Sequence, residues 1–267
     1  MLSQWLLFEA LLIEDKTVVG VCTDALDAID SMVVPAGVET IGAGAFIHCW
    51  QLISVTLPRG LTTIDAHAFR NAYNLTYLTL PVGLTTIGKC AFENAWGLTS
   101  LTLPVGLTTI GDFAFKYCRN LSSLTLPVGL KKIGAYAFLN CKSLTSIQLP
   151  CSLTSIGRFA FSRCNSLTFV SLHYSLENFG NLAFHDCDMY ISFVYRPPSL
   201  SKRLFIVWAV SNSRHRDNWQ LTTLKHSRNV LRLILSMVCY TQTVNYFDIY
   251  RFQDHHYDNF LRHWDGY

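Results

Sequence analysis

A repeat of 23 residues constrains the fold of this chain more than any other feature. Residues 81–103 read PVGLTTIGKCAFENAWGLTSLTL, and residues 104–126 read PVGLTTIGDFAFKYCRNLSSLTL. The same period places prolines at positions 35, 58, 81, 104, 127 and 150, with a histidine at 173. Self-similarity at a fixed period of about 20–29 residues, with Leu-x-x-Leu-x-Leu inside each unit, predicts a leucine-rich solenoid.

Each repeat, which we call a rung, reads Pro-x-Gly-Leu-x-x-Ile-Gly-x-x-Ala-Phe-x-x-Cys-x-x-Leu-x-x-Leu-x-Leu. The closing Leu-x-Leu alternates with Ser and Thr, and this period of two predicts a strand with its leucines turned inward. Leu84-Thr-Thr-Ile87 predicts a second, shorter strand, and Ala91-Phe92 predicts a helical turn. The expected fold is therefore a solenoid with a parallel β-sheet on one face, in which stacked rungs bury a continuous apolar column.

The chain divides into three segments by pattern. Residues 1–34 predict an N-terminal β cap, with a hairpin around Glu14-Asp15-Lys16. Residues 35–195 form the solenoid of about seven repeats. Residues 196–267 predict a mainly helical segment, either a cap or a partner-binding module. The boundary near Arg196 agrees with the charge, because residues 1–195 carry 11 Lys/Arg against 13 Asp/Glu and the remainder 10 against 5.

The pattern Leu-Pro-x-x-Leu-x-x-Ile-Gly-x-x-Ala-Phe-x-x-Cys resembles the BspA-like family of leucine-rich repeats. The signature is intact in the rungs that contain Cys49, Cys118, Cys141, Cys164 and Cys187. The resemblance implies a binding, adhesion or surface protein, and it supplies no catalytic residue. Departures are Asp65 in place of the second Gly, Ala72 and Ala95 in place of Cys, and a degenerate last rung.

The five cysteines that share one position in the rung have two interpretations. Rungs lie within the Cα separation that a disulfide tolerates, so distance leaves bridging open. Ala72 and Ala95 occupy the same position in two rungs, which favours small, buried and reduced side chains. No Cys-x-x-Cys pair occurs, so we expect no zinc site of that type.

Aromatic residues suggest two candidate binding surfaces. Trp50, Tyr73 and Trp96 follow the Cys position in three consecutive rungs, where later rungs carry Arg119 and other polar residues. A position that accepts charge faces solvent, so these rings suit contact with a partner. Alternatively, they stack on one another and shield the edge of the coil.

The second candidate is the outward face of the Leu-x-Leu strands. Tyr77 and Phe169 stand out there from a row of Ser and Thr. Solenoids bind partners on such extended surfaces. The alternative is a solvated Ser/Thr row selected for β propensity.

These observations predict a non-enzymatic scaffold that binds a protein partner, with no catalytic residue, cofactor or metal. A secreted or surface adhesin is the alternative, and the sequons at Asn74 and Asn120 bear on it. A metal-dependent enzyme that uses His255, His256 and His263 is the least favoured hypothesis.

Neither a clustered basic face for nucleic acid nor an apolar run of about 20 residues for a membrane span is evident. The compartment is open; the cytoplasm is favoured because the cysteines are interpreted as reduced and no clear signal peptide is evident, and the cell surface or secretion is the alternative.

Overall fold

The computed structural model describes residues 11–21, 29–173, 175–187 and 190–193, which contain 17 strands and no helix. The strands are β1 (Leu11–Glu14), β2 (Thr17–Val21), β3 (Ser31–Val33), β4 (Thr40–Ile41), β5 (Ser54–Thr56), β6 (Thr63–Ile64), β7 (Tyr77–Leu78), β8 (Thr86–Ile87), β9 (Ser100–Thr102), β10 (Thr109–Ile110), β11 (Ser123–Thr125), β12 (Lys132–Ile133), β13 (Ser146–Gln148), β14 (Ser155–Ile156), β15 (Phe169–Leu172), β16 (Asn178–Phe179) and β17 (Tyr190–Phe193).

The described rungs stack as a parallel β-solenoid with strands on two sides. One nine-stranded sheet has the order β1-β2-β4-β6-β8-β10-β12-β14-β16, in which the hairpin β1-β2 is followed by seven two-residue strands. Its register places Ile87 beside Ile110, and Ile110 beside Ile133. The Leu-x-Leu strands form three shorter sheets, β3-β5-β7, β9-β11 and β13-β15-β17. The sequence predicted the Leu-x-Leu strands as the principal sheet, but the continuous sheet is built from the shorter Thr-Ile segments.

The segment around Ala91-Phe92 is a series of turns, so the predicted helical turn is wrong. Phe92 N–H donates to Ala114 of the next rung at 2.7 Å, whereas Ala95 N–H donates back to Phe92 at 3.1 Å. Cys90 and Asn94 have φ of 54° and 64°, in the left-handed region. Left-handed residues interrupt a right-handed helix, and bonds between rungs take the place of bonds along it.

A column of stacked phenylalanines occupies the centre of the solenoid. Each member is at most 1% exposed: Phe46, Phe69, Phe92, Phe115, Phe138, Phe161 and Phe184. Neighbouring rings are nearly parallel, as in the pair Phe92–Phe115, whose centroids are 5.2 Å apart. Burying one such side chain stabilises the fold by roughly 1.5–3 kcal/mol. Since each ring is covered by the rungs on either side, stability depends on stacking.

The described part of the N-terminal segment continues the solenoid. β1 and β2 pair antiparallel around Asp15 and Lys16, whose φ angles are both positive, as a two-residue hairpin loop requires. β2 then pairs in parallel with β4, and the Lys16 ammonium contacts the Glu39 carboxylate at 2.7 Å. β3 pairs with β5, with Met32 beside Val55, which agrees with a degenerate first rung.

The predicted C-terminal helical segment, residues 196–267, lies outside the described residues, as do His255, His256 and His263. Within the described residues, no helix combines the length and apolar character that crossing a membrane requires.

Candidate functional site

The first candidate surface is the aromatic column, by which we mean Trp50, Tyr73 and Trp96. The indoles of Trp50 and Trp96 are 47% and 36% exposed, which confirms that this position faces solvent. The Tyr73 ring is half-buried and packs on Trp96 with centroids 4.4 Å apart and planes tilted by 32°. Trp50 and Trp96 are therefore exposed, and Tyr73 and Trp96 also pack on each other, as the alternative interpretation expected. Their role in binding stays a prediction.

The second candidate surface contains the two residues Tyr77 and Phe169. Tyr77 is 70% exposed on β7, the last strand of its three-stranded sheet. Phe169 begins β15, beside Ser146 of β13. The structure places these residues in different short sheets of the Leu-x-Leu side, so it does not bring them together.

A second aromatic series was missed in the sequence. Phe113, Tyr136 and Phe159 occupy the left-handed position just before the Ala of three consecutive rungs. Their rings are stacked, with centroids 4.8 Å and 5.1 Å apart. The series is visible in the sequence when the rungs are aligned at this position.

Basic side chains join the two aromatic series. The Arg119 guanidinium lies over the rings of Trp96 at 5.2 Å and Tyr117 at 5.8 Å. The Lys116 ammonium lies over Tyr117 at 4.9 Å and over Phe113 at 5.1 Å.

The contacts continue to the end of the second series, because the Arg158 guanidinium lies 5.2 Å from the centroid of the Tyr136 ring. We call this continuous surface the cation–ring face. It consists of Tyr73, Lys89, Trp96, Phe113, Lys116, Tyr117, Arg119, Tyr136, Arg158 and Phe159.

One group of possible metal ligands occurs among the described residues. Ligand atoms of His67, Cys90 and Glu93 lie within 4.8 Å of one another. Both oxygens of Glu93 are engaged, one with Arg70 Nε and one with Lys116 Nζ, each at 3.0 Å. Burial, together with the Glu93 carboxylate, raises the pKa of the Cys90 thiol to about 11. The Glu93 carboxylate is paired with two cations, so in this structure the group forms part of an ion-pair network.

Cysteines in the described residues are free, which agrees with the reduced interpretation. The Cys141 thiol is fully buried and donates to the Phe115 carbonyl of the preceding rung at 3.2 Å. Cys118, Cys164 and Cys187 make the equivalent bond to the preceding phenylalanine. Burial raises the pKa of the Cys118 thiol well above its usual range, so these groups do not act as nucleophiles.

Comparisons with known proteins agree with the repeat architecture. The family described as BspA type Leucine rich repeat region matches residues 24–111 and 85–202, in 6 copies. A crystal structure of the T. pallidum leucine-rich repeat protein is similar with a TM-score of 0.61 and 25% identity, covering 74% of this chain and 92% of that one.

A leucine-rich repeat protein from Bacteroides ovatus is similar with a TM-score of 0.51 and 23% identity. The match covers 69% of this chain and 62% of that one, and it supports the fold alone. No curated protein matches the chain.

Proposed function

The chain belongs to the BspA-type leucine-rich repeat family, and from that membership we propose that it is a non-enzymatic scaffold that binds a protein partner through the aromatic column. Solenoids of this kind offer an extended and rigid surface rather than an enclosed pocket. The polar groups of the described residues also serve the structure, as when the thiols donate to backbone carbonyls of the preceding rung.

The observation that carries the proposal is the exposure of large aromatic side chains on adjacent rungs. Trp50 and Trp96 present 47% and 36% of their surface to solvent, and they flank Tyr73 in the sequence of rungs. Clustered Trp and Tyr are enriched where proteins bind partners, because they bury much area with few rotatable bonds. The core of the same rungs is formed by buried Phe and Leu side chains, so the aromatic column takes no position in the core.

The experiment is a quantitative pull-down with the full chain, compared with the double variant Trp50→Ser/Trp96→Ser. We expect the double variant to keep its β circular dichroism and to lose the captured partner. The matched control is Val82→Ser/Val105→Ser, which removes two apolar side chains that are 78% and 72% exposed at another position of the rung. Equal capture by the wild type and the tryptophan variant would refute the proposal.

A second candidate function, a secreted or surface adhesin, is favoured by one observation. The sequon asparagines Asn74 and Asn120 are both exposed, at turns where an enzyme that attaches glycans has access. A glycan on Asn74 would lie next to Tyr73 and compete with binding at the aromatic column. Mass spectrometry of the protein purified from its source tests this, because a glycan on Asn74 supports the adhesin and unmodified peptides oppose it.

A further inference from the structure

Positive charge is concentrated in the middle rungs. Residues 104–172 carry seven Lys or Arg, namely Lys116, Arg119, Lys131, Lys132, Lys142, Arg158 and Arg163, and one acidic residue, Asp112. The Asp112 carboxylate accepts a hydrogen bond from Ala135 N–H at 2.8 Å. The net charge of residues 1–195 does not reveal this basic region, because 13 acidic residues outnumber 11 basic ones over that whole segment.

Three cations of the cation–ring face have no carboxylate partner among the described residues. They are Lys89, Arg119 and Arg158, and all three are exposed. Each instead lies over an aromatic ring, at 5.9 Å for Lys89 and 5.2 Å for Arg119 and for Arg158. A guanidinium that rests on a ring face is held in position, and its N–H groups remain free to bind a carboxylate with two parallel hydrogen bonds.

The aromatic rings of the cation–ring face present few open faces on which a flat ligand could stack. Tyr136 is stacked with Phe113 and Phe159, and the Arg158 guanidinium lies over the same ring, so little of its face remains open. The Trp96 ring contacts the Tyr73 ring at 4.4 Å and the Arg119 guanidinium at 5.2 Å. Nucleic acid bases and sugars bind aromatic side chains through free ring faces. Ring edges carry partial positive charge, and together with the exposed cations they make the surface attract anions.

We propose that the cation–ring face binds an acidic protein segment, whose carboxylates pair with Arg119 and Arg158. This inference rests on the proposed function, because it names the chemistry of the partner for the surface that includes Tyr73 and Trp96. The acidic segment crosses the rungs from Trp96 toward Phe159, along the unbroken series of ring and cation contacts. Complementary charge steers such a partner to the face and is weakened by salt.

The test measures binding of purified full chain to a fluorescent peptide of alternating Glu and Gly. The matched neutral probe alternates Gln and Gly, and a single-stranded oligouridylate serves as a second polyanion. The key variant is Arg119→Gln/Arg158→Gln. Its control is Lys131→Gln/Lys132→Gln, which removes the same charge from two exposed side chains at the nine-stranded sheet.

We expect the acidic peptide to bind, the neutral peptide not to bind, and the arginine variant to bind about tenfold more weakly, as two exposed ion pairs require. The lysine control should differ from the wild type by less than about twofold. Equal loss in both variants, binding of the neutral peptide, or tighter binding of the oligouridylate would overturn the inference.

The outcomes also separate this inference from the proposed function. If the pull-down yields no partner and the acidic peptide binds as expected, the scaffold proposal fails and the anionic site stands. If a partner is captured equally by the wild type and Arg119→Gln/Arg158→Gln, the scaffold proposal stands and this inference fails.

Discussion

Replacing a central phenylalanine should cost more than replacing a terminal one, although both are buried. Phe138 is fully buried, and its ring stacks on Phe115 at 5.3 Å and on Phe161 at 5.1 Å. Phe46 is 1% exposed but has one stacked ring, Phe69, at 4.9 Å. The two side chains therefore lose a similar transfer free energy on truncation and differ by one ring pair.

The magnitude follows from these contacts. A buried Phe→Ala replacement lowers the free energy of unfolding by about 3–5 kcal/mol, and an aromatic pair contributes about 0.5–1.5 kcal/mol beyond area. We therefore expect Phe138→Ala to cost about 1 kcal/mol more than Phe46→Ala. Urea unfolding followed by circular dichroism measures both, with Val105→Ala, at a 72% exposed site, as a near-neutral control. Equal costs for the two phenylalanine variants would refute the stacking argument.

Three further predictions concern side chains inside the rungs. Cys141→Ser should be no less stable than Cys141→Ala, because the hydroxyl inherits the Phe115 carbonyl as acceptor at 3.2 Å; a clearly lower melting temperature for Ser would contradict this. Gly134→Ala should cost about 1–3 kcal/mol, because its Cβ would lie 2.6 Å from the Asp112 backbone, whereas Gly129→Ala, with 3.5 Å to the nearest atom, should be nearly neutral in the same unfolding assay. Burial raises the pKa of the Cys49 thiol from 9.0 to about 12, so the unfolded chain alone loses this proton above pH 9. Cys49 should therefore contribute a fall in the free energy of unfolding of up to about 1.4 kcal/mol per pH unit from pH 9 toward 12. Cys49→Ala should make the fall in urea-measured stability shallower by that share, while the other buried thiols keep theirs.

The repeat made most of the solenoid predictable, and hydrogen bonding between rungs explains what it left out. Leu101 and Leu103 alternate with polar residues and predict a strand on their own. The short strand predicted at Leu84-Thr-Thr-Ile87 is present as Thr86–Ile87, but its place in a continuous nine-stranded sheet depends on pairing with the rungs on either side. Strand lengths set by neighbours are not encoded in the local pattern.

The turn segment shows the same limit. Ala91-Phe92 favours a helix by composition, yet the residue before Ala is left-handed in every rung from Gly44 to Leu182. In different rungs that position holds Gly, His, Cys, Phe, Tyr or Leu, so no residue type marks it. The bond from Phe92 N–H to Ala114 imposes the conformation from the next rung.

The candidate surface was predictable one position at a time but not as a whole. Exposure of Trp50 and Trp96 followed from the charged residues that replace them in later rungs. The cation–ring face joins five positions of the rung, and Arg119 links two of its aromatic positions through Trp96 and Tyr117. Which positions meet in space depends on how the turns fold, and the turns were the segment that the sequence predicted wrongly.

The stability of the chain should depend on whole rungs stacked in register, and paired deletions test this most directly. Removing residues 104–126 joins Leu103 to Pro127 and recreates the Leu-Pro junction found between other rungs. Removing residues 104–115 deletes half a rung and shifts the register of all that follows. In urea unfolding by circular dichroism, we expect the first variant to keep one cooperative transition with a lower free energy, in a solenoid shorter by about 4.8 Å. We expect the second variant to lose that transition, and equal behaviour of the two would contradict the account.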